Sequence, residues 1–240
     1  MIMRLAVTRP QADSERTATA LRARGHQVLV APLMRVEAVA ADLRGTWAAV
    51  IMTSANASAA MAAHPARAAL IKLPVFAVGQ RSADAARQAG FADVTSAGGD
   101  VRDLVRLIAA RRADASGLLL YLAGEDRAAD LIGKLSARGI AAEMRIVYRA
   151  VTAPYPSELI AALKAGEIDA VLHFSRRSAD NYLAGAREAG LLAEALAPRH
   201  VCLSALIAEP LAGAGASRIA IAWRPDEAAL VDLMDASKSS

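Results

Sequence analysis

Short apolar runs alternate along this chain with alanine-rich stretches in which apolar residues recur at helical spacing. The runs fall at 4–8, 27–31, 49–54, 75–79, 93–97, 118–124, 143–149, 170–175, 200–204 and 218–223. Several, such as "LLLYLAG" and "AVLHFS", are apolar almost throughout, as strands covered by helices on both faces must be. Between them, "SERTATALRARG" and "AADLIGKLSARG" read as helices closed by a glycine cap. This alternation predicts an α/β fold with mainly parallel, doubly wound sheets.

Ten strands are too many for one small open sheet. Two connections lack a helix: "APLMRVEAVAA" at 31–41 and "IVYRAVTAPYP" at 146–156. Both read as extended crossings. They divide the chain into an outer, discontinuous domain (1–36 plus 151–240) and an inserted domain (37–150). The expectation is two similar five-stranded α/β domains, one inserted in the other. They are joined by a two-stranded hinge at about 32–40 and 146–153, with the site in the cleft.

One pattern occurs twice. "VIMTSANASA" at 50–59 and "VLHFSRRSAD" at 171–180 each place a serine at the end of an apolar strand, where a helix opens. "VGQRSADAARQAG" at 78–90 and "LSALIAEPLAGAG" at 203–215 form a second pair. In doubly wound sheets ligands bind outside the carboxyl ends of strands, so these turns are the candidate sites. Thr53, Ser54, Asn56, Ser175 and Ser178 lie there. Their side chains can cap a helix, and the same geometry presents free N–H groups to an anion. Both readings stay open for each residue alone. Arg9, Arg81, Arg127, Arg176 and Arg177 follow predicted strand ends, where a guanidinium fork would meet a carboxylate. Tyr148, in "IVYRAV", either fills the domain junction or donates a hydrogen bond or proton in the cleft.

The motifs that are missing narrow the function. "AVGQRS" and "YLAGEDR" have one glycine each and match neither a Walker A loop nor a dinucleotide fingerprint. "TSAN" lacks the glycines of a nucleophile elbow. His26, His64, His173 and His200 have no metal-ligand spacing, and His173 belongs in the core of its apolar strand. No carboxylate pair stands out.

Composition adds three limits. Hydrophobic residues make up 55% and charged residues 22% of the 240, enough for packed cores. The net charge of +4 favours anionic ligands, but the arginines are scattered and aromatics are only 4%, unlike a nucleic-acid binder. Cys202 is the only cysteine, no apolar run reaches membrane-spanning length, and "MIMRLAVTRPQADSE" does not read as a signal peptide. A cytoplasmic monomer with a small-molecule ligand, no nucleic acid and no membrane is expected.

With these segments in order, the chain resembles the uroporphyrinogen-III synthase family nearly end to end. The resemblance is carried by "VTRP" (7–10), "RARGHQVLVAPLMRVE" (22–37), "IMTSANA" (51–57), "VFAVGQRSADAARQAGF" (75–91), "LLYLAGEDRAADLIGKLSARGI" (119–140), "VYRAV" (147–151), "VLHFSRRSADNYL" (171–183) and "RPDEAALVDLM" (224–234). It implies cyclisation of the linear tetrapyrrole hydroxymethylbilane to uroporphyrinogen III, with inversion of ring D, loss of water and no cofactor or metal. It also implies that Tyr148 assists departure of the hydroxyl, and that Thr53, Ser54, Gly79, Ser82, Gly124 and Ser175 line the cleft. The chain departs from the family pattern at Ser204, which stands in a glycine place, and at Arg176, where a proline is common. The rival reading is a non-catalytic, two-lobed binding module for a small anion or tetrapyrrole.

Overall fold

The structure is a computed structural model that describes residues 2–111, 117–126 and 130–236. The chain opens with β1 (Arg4–Val7), α1 (Gln11–Ala23), β2 (Gln27–Val30) and β3 (Met34–Ala38). It continues through β4 (Ala49–Met52), α2 (Ala55–Met61), α3 (Arg67–Leu70), β5 (Val75–Ala77), α4 (Gln80–Gln88) and β6 (Val94–Ser96). Then come α5 (Val101–Ala110), β7 (Leu119–Gly124), α6 (Leu131–Ser136) and β8 (Ala142–Thr152). The last third holds α7 (Ser157–Lys164), β9 (Ala170–His173), α8 (Arg176–Glu188), α9 (Leu192–Leu196) and β10 (Arg199–Cys202). It ends with α10 (Ala205–Gly213), β11 (Ile219–Ile221) and α11 (Glu227–Ala236).

Contacts gather into two compact units: residues 1–35 with 151–240, and residues 36–150. The division falls inside β3 and inside β8. The first unit contains a five-stranded sheet in the order β11-β10-β9-β1-β2, parallel throughout. Period-2 alternation sorts its side chains cleanly. Ala6 faces a cluster with Leu159, Leu163 and Tyr182, from α7 and α8. Its neighbours Leu5 and Val7 face the opposite cluster, with Leu21 of α1 and Leu230 and Met234 of α11.

The second unit is built around the sheet β3-β8-β7-β4-β5-β6. Val50, Met52, Leu120 and Leu122 pack toward α2, α3 and α4. Ile51, Leu119 and Tyr121 pack toward α5 and α6. Both sheets are therefore covered on two faces, which is why their strands are so uniformly apolar.

Two local expectations change. This sheet has six strands, not five, because "MRVEA", expected as a hinge strand, alternates apolar and charged residues and joins the sheet as its edge strand beside β8. The run at 143–149 and the segment after it form one strand of 11 residues, β8, which ends where the prolines begin.

Candidate functional site

The second unit brings several of the singled-out residues to the carboxyl edge of its sheet. Gly124 ends β7, and Tyr148 on β8 is its register partner across an irregularity at Ala123/Gly124. The Glu125 N–H donates to the Tyr148 carbonyl at 3.0 Å, which pins the two strands there. The Tyr148 ring lies against the bare Gly124 Cα. A Cβ at 124 would stand 2.6 Å from two ring carbons and 2.8 Å from the hydroxyl oxygen. The glycine is thus the seat of the tyrosine ring. The ring also packs on the cluster beneath α2 and α4, and the side chain is half-buried.

Thr53 and Ser54 follow β4. The Ser54 hydroxyl caps α2, accepting from the Asn56 N–H at 3.2 Å. Thr53 Oγ1 and the Tyr121 hydroxyl lie 2.9 Å apart. Tyr121 belongs to the cluster beneath α5 and α6, so the Thr53 hydroxyl is turned to the opposite face of the sheet from Tyr148. Tyr121 is a residue that the sequence reading passed over. A lone tyrosine in the aliphatic run "LLLYLAG" is the signal that pointed to it, since a buried phenol needs a partner.

Gly79 sits in extended backbone just before α4, and a Cβ there would meet nothing closer than 3.9 Å. Arg81 is exposed in the first turn of α4, and Ser82 beside it is buried. Arg127 lies outside the described residues.

The carboxyl edge of the first unit carries the rest. Ser175 caps α8, accepting from the Ser178 N–H at 3.1 Å, while the Ser178 hydroxyl donates back to the Ser175 carbonyl at 2.9 Å. The capping reading is met in full at both serines of the repeat. Arg176 reaches Glu209 at 2.7 Å, with both side chains at least half exposed. Arg9 is held differently. It donates to Glu227 at 2.8 Å and to Thr17 at 3.2 Å, and its guanidinium lies 4.2 Å from the Phe174 ring centroid. Glu227 also accepts from Thr17 at 2.5 Å and Arg16 at 3.1 Å. Burial pushes the Glu227 carboxyl up, but hydrogen bonds from Thr17, Arg9 and Arg16 outweigh it and hold it below the usual range. Arg9 is therefore committed to an internal partner that no local sequence rule reveals, 218 residues away.

His173 is fully buried, as its apolar strand required. Its Nε2 lies 3.1 Å from His200 Nδ1, and its own Nδ1 has no hydrogen-bond partner. Tyr182 flanks both imidazoles, with centroids 5.3 and 5.9 Å away. Burial drives the His173 pKa far down, helped by His200. Burial also lowers His200 to about 4, against the opposing pull of the Leu196 and Ala195 carbonyls. Neither ring is placed to act as a base at neutral pH. Among the described residues there is no cluster of His, Cys, Asp and Glu fit to hold a metal ion, and no helix is long and apolar enough to cross a membrane.

The chain's relatives bear on this arrangement. The family model for uroporphyrinogen-III synthase HemD matches residues 15–232. No curated protein matches. Among solved structures, a uroporphyrinogen-III synthetase from Helicobacter pylori 26695 is similar, with 17% identity and a TM-score of 0.63. The match covers 99% of this chain and 100% of that one. A mutant uroporphyrinogen III synthase from the extremely thermophilic bacterium Thermus thermophilus is similar at 18% identity and a TM-score of 0.49, over 99% and 100% of the two chains. The Helicobacter structure speaks for the α/β fold; the family match, spanning nearly the whole chain, says more. This chain belongs to the uroporphyrinogen-III synthase family.

Proposed function

We propose that the chain closes hydroxymethylbilane to uroporphyrinogen III, as a monomer in the cytoplasm, with Tyr148 at the carboxyl edge of the second unit's sheet acting on the bilane. The activity itself follows from family membership over residues 15–232. The observation that supports the residue assignment is Tyr148 seated on Gly124 at the end of β7. In this reading the phenol hydrogen-bonds the departing hydroxyl of the bilane and gives it a proton as water leaves. The electron-rich pyrrole supplies the push. The protein's remaining task is to orient ring D and keep water from the cation until the inverted ring closes.

The helix-opening turns at Ser54, Gly79 and Ser175 then offer backbone N–H groups, and Ser82 and Ser178 are buried supports beneath them. Asn56 and Arg81, in the first turns of α2 and α4, are the polar contacts of the second unit. Arg176 and Arg127 are assigned to substrate carboxylates. The direct test is to incubate the purified chain with enzymatically made hydroxymethylbilane and resolve the uroporphyrin isomers after oxidation. Type III product is expected, and type I alone overturns the reading.

Tyr148→Phe removes one hydroxyl from a half-buried ring and keeps its packing. Type III formation should fall by about a hundredfold, at the low end of what a lost proton donor costs, with an unchanged melting curve. Unaltered turnover removes the chemical role.

Arg176 and Glu209 are both exposed, and such pairs contribute about 0–1 kcal/mol. Arg176 can therefore leave Glu209 for a substrate carboxylate at little cost. Arg176→Ala should weaken product binding more at low salt than at high salt and leave stability within about 0.5 kcal/mol. Equal affinity for both proteins at low salt makes it a surface residue only.

A further inference from the structure

Five large apolar side chains are conspicuously exposed among the described residues, and three of them follow the ends of two adjacent strands of the first unit: Leu206, Ile221 and Trp223, at 56%, 46% and 69% exposure. Their positions are set by adjacent strands. Ile221 ends β11 opposite Cys202, which ends β10. The Ala222 N–H still donates to the Cys202 carbonyl at 2.9 Å, and Trp223 is the next residue out. Leu206 lies in the first turn of α10, directly after β10. The patch is therefore at the carboxyl edge of the sheet, the edge at which ligands of parallel sheets bind. The Arg224 guanidinium lies 4.0 Å from the Trp223 ring centroid and is oriented by Asp226, whose carboxylate is 3.1 Å from its Nε. An indole two-thirds open beside an oriented guanidinium presents a π-face and a cation to a ligand.

We infer that Trp223 and Arg224 form a substrate subsite, in which one pyrrole ring stacks on the indole and one of its carboxylate arms meets the guanidinium. The inference rests on the function proposed above and deepens it. Every ring of the bilane is an aromatic disc bearing acetate and propionate, so it needs a π-face and a cation side by side. Trp223 with Arg224 supplies both on consecutive residues. Leu206 and Ile221 are the other exposed large apolar side chains at this edge of the sheet. Trp223 is a positioning residue for the bilane chain, not a participant in bond making, so its loss should act on substrate binding.

The chain has two tryptophans, and they differ sharply. Trp47 is 8% exposed and its Nε1–H donates to the Leu43 carbonyl, while Trp223 is open. Acrylamide quenching therefore reports Trp223 almost alone. Uroporphyrinogen III, whose isolated pyrroles do not absorb in the indole emission band, should be added anaerobically in the dark. It should cut the quenching constant by about half or more, as burial in a ligand site does. Trp223→Ala should raise KM about 5- to 10-fold with little change in kcat, the low end of what a stacked heterocycle loses with its aromatic partner. Trp223→Phe should recover most of that loss.

An unprotected indole together with an unchanged KM in Trp223→Ala overturns the subsite while leaving the synthase reading intact. Protection that appears without ligand as protein concentration rises assigns the patch to a second copy of the chain and likewise overturns it. If the unaltered chain makes no type III product, both readings fall.

Discussion

Gly124→Ala is expected to cut type III formation by about a hundredfold while the chain still folds, because ångström-scale displacement of a reacting group costs that much. The added methyl would sit 2.6 Å from the Tyr148 ring, inside any tolerable contact. Gly124 ends a fully buried strand and is held by the sheet on its side, whereas Tyr148 is half-buried, so the ring is the part that must move. Overpacking in a rigid setting costs about 1–3 kcal/mol, and a ring that can swing outward relieves most of it. The measurement is isomer-resolved turnover beside a thermal melt. A melt within a few degrees of the parent together with collapsed activity is the expected result. Full activity in Gly124→Ala would mean that the ring's position against β7 is irrelevant to the reaction. The double variant Gly124→Ala with Tyr148→Ala should not regain activity, since the phenol is removed along with the clash, and its melt should fall because the ring's packing is lost.

The first unit should lose stability steeply in mild acid. His173 and His200 are buried neutral, and His200 titrates at about 4 in the folded chain, against about 6.5 when unfolded. A folded pKa below the unfolded one means that the unfolded chain binds protons first. The His200 contribution is therefore fully present above about pH 6.5, begins to fall there, and is spent near pH 4. His200 alone accounts for about 3 kcal/mol over that window, and His173, more deeply buried, adds to it. Melting temperature should drop on the order of 10 °C between pH 7 and pH 4.5. Replacing both rings, as in His173→Leu with His200→Gln, should flatten that slope whatever it does to the stability at pH 7. A parent chain that melts alike at both pH values would show that the pair does not govern acid stability.

Much of this was legible in the sequence, and the failures have physical reasons. The strand runs were plain because both sheets are covered on two faces, so "AVIM" and "AVLH" had no polar alternation to obscure them. Ser54 and Ser175 were legible as turn residues because capping is local, within two or three positions. Thr53 was placed at the right edge, yet its hydroxyl is turned away from Tyr148. The alternation of side chains from Ile51 puts residue 53 on the α5 and α6 face, where Tyr121 meets it. Arg9 could not be judged locally at all, since what occupies it is Glu227, far along the chain. Trp223 was hidden for the converse reason: an apolar run ending in tryptophan looks like core until the sheet is assembled and its last residue lies beyond the paired strands.

The place of β1 also sets the timing of synthesis. It lies between β2 and β9, and its bond to β9 closes only when Asp169, 165 residues after Arg4, has emerged. At ribosomal speeds of about 5–20 residues per second, that leaves β1, α1 and β2 without their neighbour for roughly ten to thirty seconds. Residues 36–150, a compact unit of contiguous chain, are made during most of that interval and are complete only shortly before Asp169 emerges. The nascent protein thus spends most of that interval building the second unit while the hydrophobic strand of the first still waits for its neighbour.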